Sequence, residues 1–161
     1  MIKLRATLES KEDVIRELII DENLNLEELH KSITKNFQLN EFEIASFYIT
    51  DSDLNLGKEI SFFNTSETVG ESLVMKQVII STLLYSPETQ LIYVYDFLKM
   101  WRFYIQYVEK VNSIESNNLF SKGKIPTEAP KITFKSDKEK EEFDPFRERF
   151  DDFDEFKDYE Y

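Results

Sequence analysis

Alternating apolar and polar side chains predict a β-strand at the start of the chain. Within residues 2–8 every second side chain is apolar, which is the period of a strand with one buried face: Ile2, Leu4, Ala6 and Leu8. After a polar stretch at 9–13, residues 14–20 are rich in β-branched side chains. We therefore predict an antiparallel hairpin from these two segments.

An amphipathic helix is predicted to follow the hairpin. Asn25 stands three residues before Glu28, a capping-box arrangement in which each side chain can bond to a backbone N–H. The apolar side chains that follow are spaced by three and four, so they share one helical face: Leu26, Leu29, Ile33 and Phe37. That face is expected to pack on the sheet.

The remaining apolar runs predict further strands. Residues 42–49 and 59–63 are read as strands, and 91–97 with 101–108 as a central hairpin. The stretch 78–84 suits either a helical turn or a strand, and 131–134 suits an edge strand. The predicted fold class is α+β, with an antiparallel sheet built from hairpins and one main helix packed on it, in a domain covering residues 1–135.

An acidic, phenylalanine-rich tail is predicted at residues 136–161. Its aromatic side chains recur every three or four positions, with Asp144 and Pro145 suited to begin a helix: Phe146, Phe150, Phe153 and Phe156. The tail is expected to be an amphipathic helix or disordered. Its aromatic stripe would pack on its own domain or dock on a protein partner.

Charge and composition narrow the function classes. The net charge is −12, and residues 136–161 hold 12 acidic and 5 basic residues, which leaves −5 for residues 1–135. Such a field opposes phosphate backbones, so direct nucleic-acid binding is disfavoured. The chain has no cysteine, no signal-peptide pattern at Met1–Arg5 and no apolar run long enough to span a membrane. We expect a cytoplasmic protein that does not enter a membrane.

Few residues offer catalytic chemistry. His30 is the sole histidine, and no pattern for a metal site or cofactor accompanies it; the three glycines are not spaced as a phosphate-binding loop. Asp96 lies among aromatic side chains, where it would act as an acid or base, accept backbone hydrogen bonds, or pair with an arginine. One hypothesis is a ligand pocket formed by four residues: Arg16, His30, Asp96 and Trp101.

Several of these residues resemble a known family, the plasmid pRiA4b ORF-3-like proteins, which are insertion-element passengers sometimes labelled resolvases. The likeness covers residues 2–130 and rests on Leu29-His30, Arg16 and the late hairpin. The family's hairpin signature resembles Tyr-Asp-Phe-Gly-Asp-x-Trp-x-His, whose glycine, second aspartate and histidine are replaced here by Leu98, Lys99 and Phe103. The resemblance implies a diverged member with the family's fold and implies no particular reaction.

Three function hypotheses follow. The first is a non-enzymatic accessory protein of mobile-element type that contacts a protein partner through its tail. The second is a small enzyme or ligand-binding domain with a pocket near Asp96 and Trp101. The third is an acidic mimic of nucleic acid that occupies a DNA-binding protein.

Overall fold

One helix packed on one mixed sheet makes up the part of the chain that the computed structural model describes, residues 1–68, 70–112 and 119–131. The helix is α1 (Leu26–Asn36), and in these ranges the strands are β1 (Ile2–Leu8), β2 (Val14–Ile20), β3 (Ala45–Thr50), β4 (Leu56–Ser61), β5 (Leu73–Val74), β6 (Gln90–Tyr95), β7 (Trp101–Lys110) and β8 (Ser121–Lys122). Their order across the sheet is β5-β4-β3-β6-β7-β1-β2-β8. Only β4 and β5 pair in parallel, so the predicted α+β class with a hairpin-built sheet is confirmed.

The N-terminal hairpin forms as its alternation predicts. Ile2 pairs with Ile20 and Leu8 with Val14 across β1 and β2. The apolar side chains of β1 are almost completely buried, and its other edge pairs with β7. The first strand of the chain is therefore a central strand of the sheet.

Helix α1 begins where the capping pattern places it. The Asn25 side chain accepts a hydrogen bond from the Glu28 N–H at 3.1 Å, while the Glu28 carboxylate accepts from Lys31 instead of reaching back. Leu26, Leu29 and Ile33 are fully buried against the sheet. The apolar stripe thus fixes which face of the sheet the helix covers.

The central hairpin joins β6 to β7, with Tyr95 opposite Trp101. The sequence extends the first strand to residue 97, but β6 ends at Tyr95 because Asp96 has a positive φ of 55°. That left-handed conformation starts the turn at 96–100, and the Asp96 carbonyl accepts from Lys99 N–H and Met100 N–H. The turn is therefore two residues longer than predicted, 96–100 instead of 98–100, while β7 begins at Trp101 as predicted.

Other boundaries differ from those of the predicted strands for local reasons. Strand β3 begins at Ala45 and not at residue 42, since the Phe42 N–H is bonded to the Asn40 side chain in a turn. Strand β4 begins at Leu56 and not at residue 59, because the Asp51 carboxylate closes the preceding turn on the amides of Asp53 and Asn55.

Residues 78–84, for which both a helical turn and a strand were predicted as alternatives, contain a 3-10 turn at Ile80–Thr82. A single β-bridge between Asn25 and Ile79 lies next to it. The two-residue strands β5 and β8 have no periodic signal and were missed. The predicted edge strand at 131–134, apart from Lys131, and the tail lie outside the described residues. Among the described residues, no helix is long and apolar enough to cross a membrane.

The sheet has two unlike faces. Trp101, Phe103 and Ile105 belong to the core under α1, so the alternating Arg102 and Tyr104 lie on the opposite face. Ile92 and Val94 of β6 also lie on that second face, cross-strand from Tyr104 and Arg102, and are buried outside the main core. This second face therefore combines apolar and charged side chains.

Candidate functional site

His30 is buried inside the core and satisfied there. Its Nε2 lies 2.8 Å from the Glu41 carbonyl oxygen and its Nδ1 lies 2.7 Å from the Tyr93 hydroxyl. Because a carbonyl only accepts, Nε2 carries the proton and the Tyr93 O–H donates to Nδ1. Burial lowers the pKa of His30, which favours this neutral form.

Arg16 lies at the β2 edge and holds the chain after β8. Its Nη1 donates to the carbonyls of Ile15 and Lys122 at 2.8 and 2.7 Å, and its Nη2 donates to Gly123 at 2.9 Å. The guanidinium carbon lies 5.7 Å from the centre of the Phe37 ring. These contacts anchor the backbone that leads into residues 124–131.

Asp96 and Trp101 lie at the two ends of the turn between β6 and β7. The Asp96 carboxylate accepts from the N–H groups of Leu98 and Lys99 at 3.1 and 3.3 Å, and Trp101 is buried in the core. Among the described residues, no hydrogen bond or ion pair joins any two of the four predicted pocket side chains of Arg16, His30, Asp96 and Trp101. The fold brings the last two to one turn and leaves Arg16 and His30 elsewhere.

A cleft of about 640 Å³ lies beside this turn, and we name it the turn cleft. One wall is the turn itself, with Leu98, Lys99 and Met100, and the other wall is residues 127–131. Glu9 and Arg102 also line it, whereas none of the four predicted pocket residues does. This cleft therefore lies next to the predicted position but is built from neighbouring side chains.

An incompletely bonded polar group lines the turn cleft. Arg102 Nε lies 3.3 Å from Glu9 Oε2, but both atoms are buried without a hydrogen-bond partner among the described residues. The Tyr104 hydroxyl donates to Glu9 Oε1 at 2.9 Å, and burial followed by this contact raises the pKa of Tyr104. Buried polar atoms without partners are uncommon, and they leave bonding capacity for a ligand.

Sequence reasoning missed most of this group. The sequence pattern suggested an arginine only as a partner for Asp96, and it did not single out Glu9, Arg102 or Tyr104 as site residues. The period of β7 does place Arg102 and Tyr104 on one face, which was the available signal. Glu9 carries no comparable signal, because only the pairing of β1 with β7 brings it close.

The surroundings of the turn cleft are locally basic. A second cavity of about 350 Å³ shares Pro130 and Lys131 with it. The two together are lined by five basic residues, which we name the basic rim, and by three acidic ones: Lys11, Lys99, Arg102, Lys124 and Lys131 against Glu9, Glu12 and Glu128. A local charge of +2 stands out in a chain with a net charge of −12.

Large apolar side chains are exposed at the same turn. Leu98 is 97% and Phe42 80% exposed. The two segments meet where the Asp96 N–H donates to the Ile44 carbonyl at 2.9 Å. We name their exposed apolar side chains the turn patch: Phe42, Ile44, Phe97, Leu98 and Met100.

The tail carries the predicted docking residues Phe146, Phe150, Phe153 and Phe156, and all four lie outside the described residues. Within the described ranges, no three His, Cys, Asp or Glu side chains cluster as metal ligands.

Comparison with known proteins identifies the fold. A family model described as plasmid pRiA4b ORF-3-like protein matches residues 1–129. The chain is similar to the crystal structure of a protein of unknown function from Methanosarcina mazei Go1, with 16% identity and a TM-score of 0.57, over 67% of this chain and 59% of that one. This chain thus spans about three fifths of that protein's length. No curated protein matches.

Proposed function

This chain belongs to the plasmid pRiA4b ORF-3-like family, and we propose that it is a protein-binding module whose contact surface is the turn patch with the adjoining turn cleft. The observation that carries the proposal is the near-complete exposure of Leu98 beside a cleft with unsatisfied polar atoms. Apolar side chains grouped on a surface and rimmed by polar residues mark interaction sites.

The charge of the surface points to the chemistry of the partner. The basic rim favours a polypeptide segment that carries carboxylates, and the turn patch favours aromatic or aliphatic anchors. The proposed partner is therefore a protein with an acidic, aromatic segment. An accessory role for a mobile element in the cytoplasm is part of the same proposal.

The C-terminal tail is a second proposed contact element. Its spacing of Phe146, Phe150, Phe153 and Phe156 suits an amphipathic helix that docks in a groove of the partner. The tail and the turn patch make separate predictions, so one experiment can distinguish them.

The test is recovery of partners from host lysate by four tagged full-length chains. Leu98→Ser removes the most exposed anchor, while Leu56→Ser is the matched control, because Leu56 is half-exposed on β4. We expect Leu98→Ser to weaken capture of a specific protein about tenfold, as loss of an interface anchor does, and Leu56→Ser to leave it unchanged. Equal capture by both variants would exclude the turn patch.

The fourth chain carries alanine at the four tail phenylalanines. A partner that is lost only from this variant would place the contact on the tail and not on the turn patch.

A ligand-binding or enzymatic role for the turn cleft is the second candidate. It is favoured by Glu9 and Arg102, which line the cleft and whose Oε2 and Nε atoms are buried without a hydrogen-bond partner among the described residues, as suits a small polar ligand. If the turn cleft binds a small ligand, binding of that ligand depends on Arg102 and not on Leu98. Arg102→Gln should then abolish ligand binding, whereas Leu98→Ser should abolish capture of a protein partner.

A further inference from the structure

We propose that residues 136–161, which we name the C-terminal segment, bind within the same chain to the turn cleft and turn patch, and leave when a partner takes their place. This inference rests on the proposed function, since it uses the same surface. It identifies what covers that surface when no partner is bound.

The position of the chain supports an intramolecular contact. Lys131, the last described residue, lines both cavities, so the chain continues from the wall of the cleft itself. Phe146 follows 15 positions later, and 15 residues span at most about 50 Å when fully extended, so the segment stays near the cleft. A tether this short gives an effective concentration in the millimolar range, so even a weak contact is populated.

Charge complementarity is the second argument. The C-terminal segment has a net charge of −7, and the lining of the two cavities has a net charge of +2. The rest of the chain is acidic overall and would repel the segment. The basic rim is therefore a favourable destination for it, and the attraction should weaken with added salt.

Apolar complementarity is the third argument. The turn patch exposes Leu98, Phe97 and Met100, and leucine and methionine side chains pack well against aromatic rings. The segment carries Phe146, Phe150, Phe153 and Phe156, each within two positions of a carboxylate. One sequence thus combines the aromatic anchors and carboxylates that the surface suits.

The composition of the chain allows a direct test in the full-length protein. Because there is no cysteine, Lys157→Cys provides a single site for a nitroxide spin label, and because Trp101 is the sole tryptophan, its indole N–H gives one assignable NMR signal. Trp101 lies between the cleft residues Met100 and Arg102. Its signal therefore reports on proximity of the label to the turn.

The expected result is strong paramagnetic broadening of the Trp101 indole and of the amides of Leu98–Arg102. Tethered occupancy should reduce those intensities at least about twofold relative to the reduced label. The amides of Leu56 and Lys58 on β4 serve as internal references, and the effect must be unchanged on dilution. Broadening that is no greater at the turn than on β4 would overturn the proposal, and broadening that disappears on dilution would show a second copy as the occupant.

Two matched charge reversals test the surface. Lys99→Glu changes the basic rim, and Lys58→Glu makes the same change at an exposed position on β4. We expect Lys99→Glu and the four phenylalanine-to-alanine changes to abolish most of the broadening, and Lys58→Glu to leave it unchanged. Equal broadening in the Lys99→Glu and Lys58→Glu chains would contradict the assignment of the segment to the cleft.

Failure of this inference can be distinguished from failure of the proposed function. If the label stays distant while Leu98→Ser still loses its partner, the surface binds proteins but not its own segment. If the label is close while Leu98→Ser keeps its partner, the cleft holds the segment and the partner binds elsewhere.

Discussion

At the scale of single residues, His30 and Tyr93 form a fully buried polar pair between α1 and the sheet. The Glu41 carbonyl fixes the proton on Nε2, so Nδ1 is left to accept from Tyr93. Protonation of Nδ1 would reverse this hydrogen bond, with the Tyr93 hydroxyl turning to accept, and would place a positive charge on a buried ring. Burial therefore favours the fold with His30 in its neutral form.

The pH dependence of stability follows from the lowered pKa of His30. Below about pH 6.5, His30 binds a proton in the unfolded state but stays neutral in the folded state until a lower pH is reached. The free energy of unfolding therefore falls as the pH falls. Between about pH 7.5 and 5.5, above the range of ordinary carboxylates, the slope should reach at most about 1.4 kcal/mol per pH unit. Urea denaturation across that range measures it.

His30→Gln is the control for this slope. Glutamine does not titrate, and no other histidine is present, so the variant should be less stable but nearly independent of pH in this window. If wild type and variant lose stability equally on acidification, the titration of His30 is not the cause.

At the scale of elements, strand β8 has only two residues paired with β2, and side chains of β2 add the contacts that hold it in place. Arg16 donates to the carbonyls of Lys122 and Gly123, and the Glu17 carboxylate accepts from the Phe120 N–H at 3.1 Å. Burial would raise the pKa of Glu17, but the Arg5 and Phe120 hydrogen bonds outweigh it and lower the pKa. These contacts position the segment that forms one wall of the turn cleft.

Gly123→Ala should detach this element. Gly123 has a φ of +80°, and an added Cβ would lie 2.0 Å from the Asp13 carbonyl oxygen. We expect a loss of about 2 kcal/mol or more, together with faster hydrogen exchange at the Phe120 amide. Urea denaturation and amide exchange measure the two effects.

Gly70→Ala is the matched control, because Gly70 also has a positive φ of +91° but an added Cβ there meets no atom of the described residues within 4 Å. Its cost should be the backbone strain alone, about 1 kcal/mol. A loss at Gly123 no larger than at Gly70 would show that the close approach of Asp13 contributes nothing.

At the scale of the whole molecule, charge is distributed so that a basic rim lies on an acidic chain. The net charge of −12 creates a repulsive field toward nucleic-acid phosphates, and the rim offers five basic side chains against three acidic ones. Salt screens charges beyond about 10 Å, so an acidic polypeptide is attracted only when it lies close to the basic rim. The alternative of a nucleic-acid mimic depends on the C-terminal segment, whose −7 net charge would compete with DNA for a basic protein.

Direct DNA binding should therefore be absent. Phosphate binding requires several lysines or arginines to displace counterions and is strongest at low ionic strength. We expect no mobility shift of a DNA duplex by the full chain even at low salt, with a basic DNA-binding domain as the positive control. A shift that weakens steeply with added salt would show that the basic rim binds phosphates despite the overall charge.

The position of the candidate site was only partly predictable. Asp96 and Trp101 flank the turn that forms one wall of the turn cleft, although neither of them lines it. Arg16 and His30 proved to be bonded elsewhere, to the β8 backbone and to Tyr93. A rare residue type shows which reactions or contacts a side chain could support, but it does not show which side chains the fold places next to one another.

The sequence by itself determined α1, the two hairpins and the α+β class, because capping, periodicity and β-branched runs act over a few neighbouring residues. Only the tertiary structure decided the strand order, the pairing of β8 and the turn cleft. Glu9 and Tyr104, 95 positions apart, meet because β1 pairs with β7 and not because of any local preference. Contacts of that range depend on how whole elements pack, which no local pattern encodes.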